Sequence, residues 1–298
     1  MKKILKLMAI CIVFAGCAKS GPDPSPTDYG IVWAPDATAA QRESIRKMAE
    51  DLVEVAGGTY YMGVQSTFPM MPGFDSTTWY EQTPVHLVTL STFKIGRYEI
   101  SRKQWYDIMG DGTGMDGHYT IENADLPIEG IMRDEVDTFL ARIEHLSGLR
   151  LRLPTESEWE YAARGGANGS ESDRFSGAYY SDEVAWNYYN SGGKVHPVGQ
   201  LKPNKLGLYD MSGNVAELCS DIYAPYPAEA QFDPQGPSHW EDNNLVVRGG
   251  HYMSNDQTCR VYYRSYASTD HPLAYVGLRL VLIQENNQTT TILNQYQP

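Results

Sequence analysis

Hydrophobic and polar positions along this chain follow no single period for long. Between about Asp134 and Leu146, Val136, Phe139, Leu140 and Ile143 recur at helical spacing and Gly148 follows as a stop, which predicts an amphipathic helix. A second helix is expected from about Ala39 to Leu52. Ser101 is placed to cap a short third one, "RKQWYDIM". In "RLPTESEWEYAARGG", Thr155 and Glu158 form a capping box behind Pro154, Trp159 and Ala163 share a face, and Gly165-Gly166 end the helix. Strand patterns are weaker. "VAGGTYYMG" reads as a strand after a Gly-Gly turn, and "VHLVTLSTFKIGRYEI" as another. No internal repeat and no second domain boundary is visible, and the last stretch, 284–298, is a polar tail.

Composition sharpens this picture. With 298 residues, 21 Tyr and Gly and Pro scattered throughout, the pattern predicts one α+β domain rich in loops rather than a bundle or a parallel α/β sheet. The first 16 residues read as a signal peptide: Lys2, Lys3 and Lys6, then an apolar run from Leu7 to Phe14 too short to span a bilayer. "FAGC" resembles a bacterial lipobox, with Cys17 as the acylated residue, and residues 17–37 form a Pro-rich tether. These features predict a lipoprotein of the bacterial cell envelope, held to the membrane by its lipid anchor. The absence of an acid at Ala18 and Lys19 points to the outer membrane. Loss of residues 1–16 with their three lysines takes the formal charge from −13 to −16, which argues against nucleic acid as a partner.

Six stretches then occur in order: "GGTYYMG", "PVHLVTLSTFKIGRYEIS", "RLPTESEWEYAARGG", "NSGGKVHPVGQLKPNKLGLYDMSGNVAELCSD", "VVRGGHY" and "YVGLRLV". Together they resemble the sulfatase-modifying-factor family, named for the formylglycine-generating enzyme. The resemblance covers roughly residues 50–283, and the domain is expected to span 38–283. It implies the formylglycine-generating-enzyme fold, with a C-type-lectin-like core and little regular secondary structure, and bound calcium.

In "YDMSGNVAEL", Asp210 and Glu217 are hard oxygen donors seven residues apart, and the resemblance implies that their side chains bind calcium together with the carbonyls of Gly213 and Val215. The family makes a second site from an Asn and the next carbonyl; Asn187 and Tyr188 stand there, but the loop that follows has no acid. The family's catalysis needs Cu(I) between two thiolates, a soft ion on soft ligands. Here the first position is Ser254 and only Cys259 remains. His251, Ala216 and Tyr275 also depart from the catalytic pattern, so copper oxidase activity is not expected. The resemblance further implies a Cys219–Cys259 disulfide, which would close a loop of about 40 residues and stabilise by roughly 3–4 kcal/mol. A buried free thiol and a reactive nucleophile are the alternatives. His251, His271 and Cys259 could form a small metal cluster, but no tight spacing enforces one. Arg248 and Arg279 read as buried arginines that partner acids. His251, Tyr252, Ser254, Tyr263 and Tyr275 mark a groove whose Tyr, Ser and Asn content suits a protein or peptide ligand, either free or within an envelope complex. The alternative is a formylglycine-generating-type oxidoreductase acting on a peptide cysteine.

Overall fold

The computed structural model describes residues 29–64, 82–110, 121–170, 172–268 and 270–284. Cys17, the proposed lipid site, the signal segment and residues 285–298 of the tail lie outside them.

Local signals place the helices. α1 (Ala39–Glu50) begins at Thr38 in a full capping box with Gln41. α2 (Arg102–Met109) is capped by Ser101 and Gln104 in the same way. α3 (Arg133–Ser147) stops at Gly148 in the left-handed conformation. α4 (Glu156–Ala163) has the expected Thr155–Glu158 box and is buried along its whole length. That complete burial explains why α4 carries so weak an amphipathic pattern.

The strands are short and gathered from distant parts of the chain. β1 (Leu52–Val55) and β2 (Gly58–Met62) are joined by Ala56 and Gly57, the second glycine of the expected turn opening β2. The stretch read as one strand is two, β3 (His86–Leu90) and β4 (Phe93–Gly96), broken at Ser91 and Thr92. Asp233 accounts for the break: its carboxylate accepts from the Ser91 N–H and hydroxyl, both at 2.7 Å. β5 (Leu151–Arg152), β6 (Ala216–Ile222), β7 (Gln231–Phe232), β8 (Leu245–Arg248), β9 (Arg264–Ala267), β10 (Val276–Gly277) and β11 (Val281–Leu282) complete the set. They form three sheets, ordered β1-β4-β11-β5, β10-β6-β8-β9 and β2-β3-β7.

The β6–β8 pair separates two cores. Leu218 and Val247 enter a cluster with α1, α2 and α3. Their neighbours Cys219 and Val246 enter the other, with Trp159 and Ala162 of α4 and Val88 and Leu90 of β3. Residues 29–37, expected as the end of the tether, instead belong to the domain. Val32 and Ala34 donate to the carbonyls of Ser147 and Leu146, and Tyr29, Ile31 and Trp33 pack on the first core. Among the described residues no helix is long and apolar enough to cross a membrane.

Candidate functional site: an aromatic groove beside a buried ionic frame

Acids and arginines under the site are matched almost group for group. Arg248 binds Glu156 at 2.8 Å and Glu160 at 2.5 Å, and Arg264 binds both oxygens of Glu156 at 2.6 and 2.8 Å. Arg164 donates to Glu160 and to the Gly63 carbonyl, and Arg152 clasps Glu158 through two 2.7 Å bonds. Arg279 grips both oxygens of Glu217 at 2.6 and 2.7 Å, and the Trp159 indole donates a third bond to it at 2.7 Å. The expectation that Arg248 and Arg279 are buried partners of acids is therefore met. The charges of Glu160 and Arg248 survive burial because each is held by opposite charge. Flanking arginines keep Glu160 below the usual carboxylate range despite full desolvation.

The loop before β6 is wound by left-handed residues: Asp210, Gly213 and Asn214 all have φ between 58° and 77°. Only glycine fits at 213, where a Cβ would lie 2.2 Å from the Trp186 carbonyl oxygen. Asp210 is buried and its Oδ2 accepts from the Gly199 N–H at 2.7 Å; Oδ1 has no partner among the described residues. Burial pushes this carboxyl up to about 6. Glu99, which the sequence reading missed, completes the cluster. It accepts from Asn214 Nδ2 at 2.7 Å and Val215 N at 3.0 Å, and desolvation followed by the charges of Asp210 and Glu217 holds its pKa well up. The signal was an acid, Glu99, near the end of the strand-like stretch "VHLVTLSTFKIGRYEI".

Three acids thus surround one guanidinium, Arg279. Of the two carboxylates expected to hold calcium, Asp210 keeps an oxygen open to a hard cation. Glu217 does not fit as expected, because both of its oxygens are already taken by Arg279 and Trp159. No three His, Cys, Asp or Glu side chains among the described residues converge as a metal site. At the second expected site Asn187 is occupied as well: its Oδ1 accepts from Tyr189 N at 2.9 Å and stabilises a turn.

The groove residues do come together. His251, Ser254 and Tyr263 line a cavity of about 380 Å³ with Ala216, His271 and Val247. The His251 ring stacks on Tyr275 at 4.7 Å, with the planes 7° apart, and Tyr252 meets both rings edge-on. Nδ1 of His251 accepts from Met253 N at 3.2 Å, which leaves Nε2 to carry the proton of the neutral ring; burial lowers the pKa and favours that neutral form. Tyr275 has φ +62°, an unusual conformation for an aromatic residue and one that recurs at functional sites. Tyr188, considered above only for its position in a metal site, forms an exposed rim with Tyr189 and Met253. The backbone fixes that rim: Tyr188 N donates to the Ser254 carbonyl, and Ser191 Oγ to the Tyr252 carbonyl.

The two cysteines correct the expected disulfide. Both thiols are free and buried, in different apolar clusters. Cys219 packs on the α4 side of β6. Cys259 ends a 3-10 turn (Asp256–Cys259) and packs against Phe175, Ala178, Val184 and Ala185. Its thiol donates to the Asn255 carbonyl at 3.5 Å and is pushed up to about 12 by burial. Cys259 is not among the groove-lining residues. Ser254 Oγ accepts from the His251 N–H at 3.1 Å. One hydroxyl and one protonated thiol outside the cavity do not match a two-thiolate copper site.

A family model described as "Sulfatase-modifying factor enzyme 1-like domain" matches residues 37–283. The chain belongs to the sulfatase-modifying-factor family. It is similar to "Chaperone protein LppX" of Paenibacillus barcinonensis, 33% identical over 241 residues that cover 65% of this chain and 81% of that protein. It is also similar to a formylglycine-generating enzyme of Thermomonospora curvata, 25% identical over 302 residues, covering 80% of this chain and 95% of the enzyme. Among solved structures, Treponema denticola variable protein 1 superposes with a TM-score of 0.64 at 25% identity, covering 78% of this chain and 94% of that one. PvdO from Pseudomonas aeruginosa shares the fold, with a TM-score of 0.60 at 22% identity and coverage of 78% and 94%.

Proposed function

We propose that this protein is a non-catalytic binding module of the bacterial cell envelope that takes a protein or peptide segment into the His251–Tyr275 groove. One observation carries the reading: the groove retains a structured aromatic floor and rim but lacks the paired soft ligands its family uses for oxidation. Tyr252, Tyr275, Tyr188 and Tyr189 offer broad contact area at low entropy cost. The resemblance to a protein named a chaperone supports an accessory role. The lipobox-like "FAGC" supports attachment through Cys17 at the outer membrane, and calcium at Asp210 and the Gly213 and Val215 carbonyls would offset the acid cluster around Arg279.

Panning a peptide library against the immobilised protein, with wild type and Tyr275→Ala compared by fluorescence anisotropy, tests the groove. The reading expects selected sequences to bind the wild type and to lose about tenfold or more on Tyr275→Ala, as for an aromatic anchor. Binding unaffected by that change would move the ligand elsewhere. Palmitate labelling in cells, lost in Cys17→Ala, tests the anchor.

A further inference from the structure

A second cavity lies apart from the groove residues and takes no part in the proposed function. It measures about 330 Å³ and is walled by α4, the segment from Asp221 to Trp240, and Arg264. Pro225, Pro227, Pro234 and Pro237, with Tyr226 and Trp240, give it apolar sides. Trp240 is 40% exposed and sits in a closed turn: its N–H donates to Asn243 Oδ1, and its carbonyl accepts from Asn243 N.

The cavity also holds an acid with an unused oxygen. Asp221 is 5% exposed. Its Oδ2 accepts from Glu156 N at 2.9 Å and Ser220 Oγ at 3.1 Å, whereas Oδ1 has no partner among the described residues. Gly236 lies so close that a Cβ there would come within 3.1 Å of Oδ1, which keeps this side of the pocket narrow. Burial, then the Glu156 charge, pushes the Asp221 carboxyl up to about 7, so it lacks a counter-charge. Arg264 does not supply one, because it binds both oxygens of Glu156 and the Ala224 carbonyl between the Tyr223 and Tyr226 rings.

We propose that this cavity binds an alkyl ammonium group, presented as the lysine side chain of a peptide, with the methylene stem along the proline and tryptophan walls and the ammonium on Asp221 Oδ1. The setting suits a basic peptide. A neighbouring cavity shares Pro225, Trp240 and Arg264 with this one and carries the exposed acids Glu241 and Asp242 at its edge. Tyr266 lines both that neighbour and the groove, so the three cavities follow one another across β9. The chain's formal charge of −13 draws cations toward this face. A carboxylate beside aromatic rings is a favourable seat for an ammonium group. The pocket's case is independent of whether the groove binds peptide.

Calorimetric titration of the full chain with capped lysine (N-acetyl-lysine methylamide), capped norleucine and cadaverine tests the idea. The proposal expects saturable binding of capped lysine, weakened about tenfold or more in capped norleucine, which keeps the stem and drops the charge. Asp221→Asn should weaken capped lysine by a similar factor. Trp240→Ala, at an exposed turn where folding is safe, should weaken it about fivefold with an unchanged melting temperature. No saturable binding of capped lysine, equal binding of norleucine, or full affinity in Asp221→Asn or in a folded Trp240→Ala would overturn the proposal. Tighter binding of cadaverine than of capped lysine would overturn the peptide assignment in favour of a free amine.

Discussion

Only Gly249 and Gly250 separate Arg248 from His251, yet the two residues belong to opposite kinds of environment. Arg248 sits in a buried frame of ion pairs, bound to Glu156 and Glu160. His251 opens a groove of stacked, uncharged rings with an exposed rim. In this chain the paired charges lie beneath the strands, and the exposed rings lie in the groove. Here the frame is complete and the groove has changed: Ser254, Ala216, His251 and Tyr275 stand where the family's catalytic residues are expected. A fold stabilised by buried ion pairs away from its reactive surface can exchange that surface at little cost in stability.

The largest effect should come from breaking the frame. Arg248→Met leaves Glu156 and Glu160 short of a partner and should cost about 3–5 kcal/mol, read from urea midpoints. His251→Ala should cost about 1 kcal/mol or less in the same titration. Equal losses would erase the distinction between the two regions.

The acids left over from the frame should show themselves through pH. Asp210 and Asp221 have folded-state values raised to about 6 and about 7, above the ordinary value of 3.8. Folding therefore favours their protonated forms. The contribution is present below about pH 4 and lost as pH rises through 6 to 7, at most about 3 kcal/mol for the shift of about two units at Asp210 and about 4 kcal/mol for the shift of about three units at Asp221. In chelator, stability should fall across that window, and Asp221→Asn should flatten its upper part. Calcium should restore stability at pH 7 if Asp210 helps to hold it; an identical melting temperature with and without calcium would count against that site.

A smaller effect separates strain from binding. Tyr275→Gly relieves a left-handed backbone conformation and should stabilise by about 1 kcal/mol while weakening a groove ligand. A loss of stability would show that the Tyr275 ring serves the frame. The smallest effect concerns the thiols. Reductant should leave the melting temperature unchanged, and Cys219 and Cys259 should alkylate only in denaturant, since both are buried and unpaired. A shift of several degrees on reduction would restore the disulfide.

How much of this could be read in the chain depended on how local each signal was. Ser101 and Thr155 announced α2 and α4 because a capping box is written within four residues. The break between β3 and β4 was hidden because Asp233, about 140 residues away, makes it. Sequence distance alone could not show that Cys219 and Cys259 fall in separate cores, or that residues 29–37 dock against α3. The groove residues were legible through the family resemblance, which fixed their register. Asp221 and Trp240 gave no signal, since only the folded segment brings them to one cavity.

The central claim is that the groove binds without oxidising. Its most direct test is to load the purified protein with Cu(I), supply oxygen and a peptide selected by panning that contains cysteine, and follow the peptide by mass spectrometry alongside its binding by anisotropy. The account predicts bound peptide with its cysteine intact and no stoichiometric copper. One tightly held copper per chain and conversion of that cysteine to an aldehyde would contradict it.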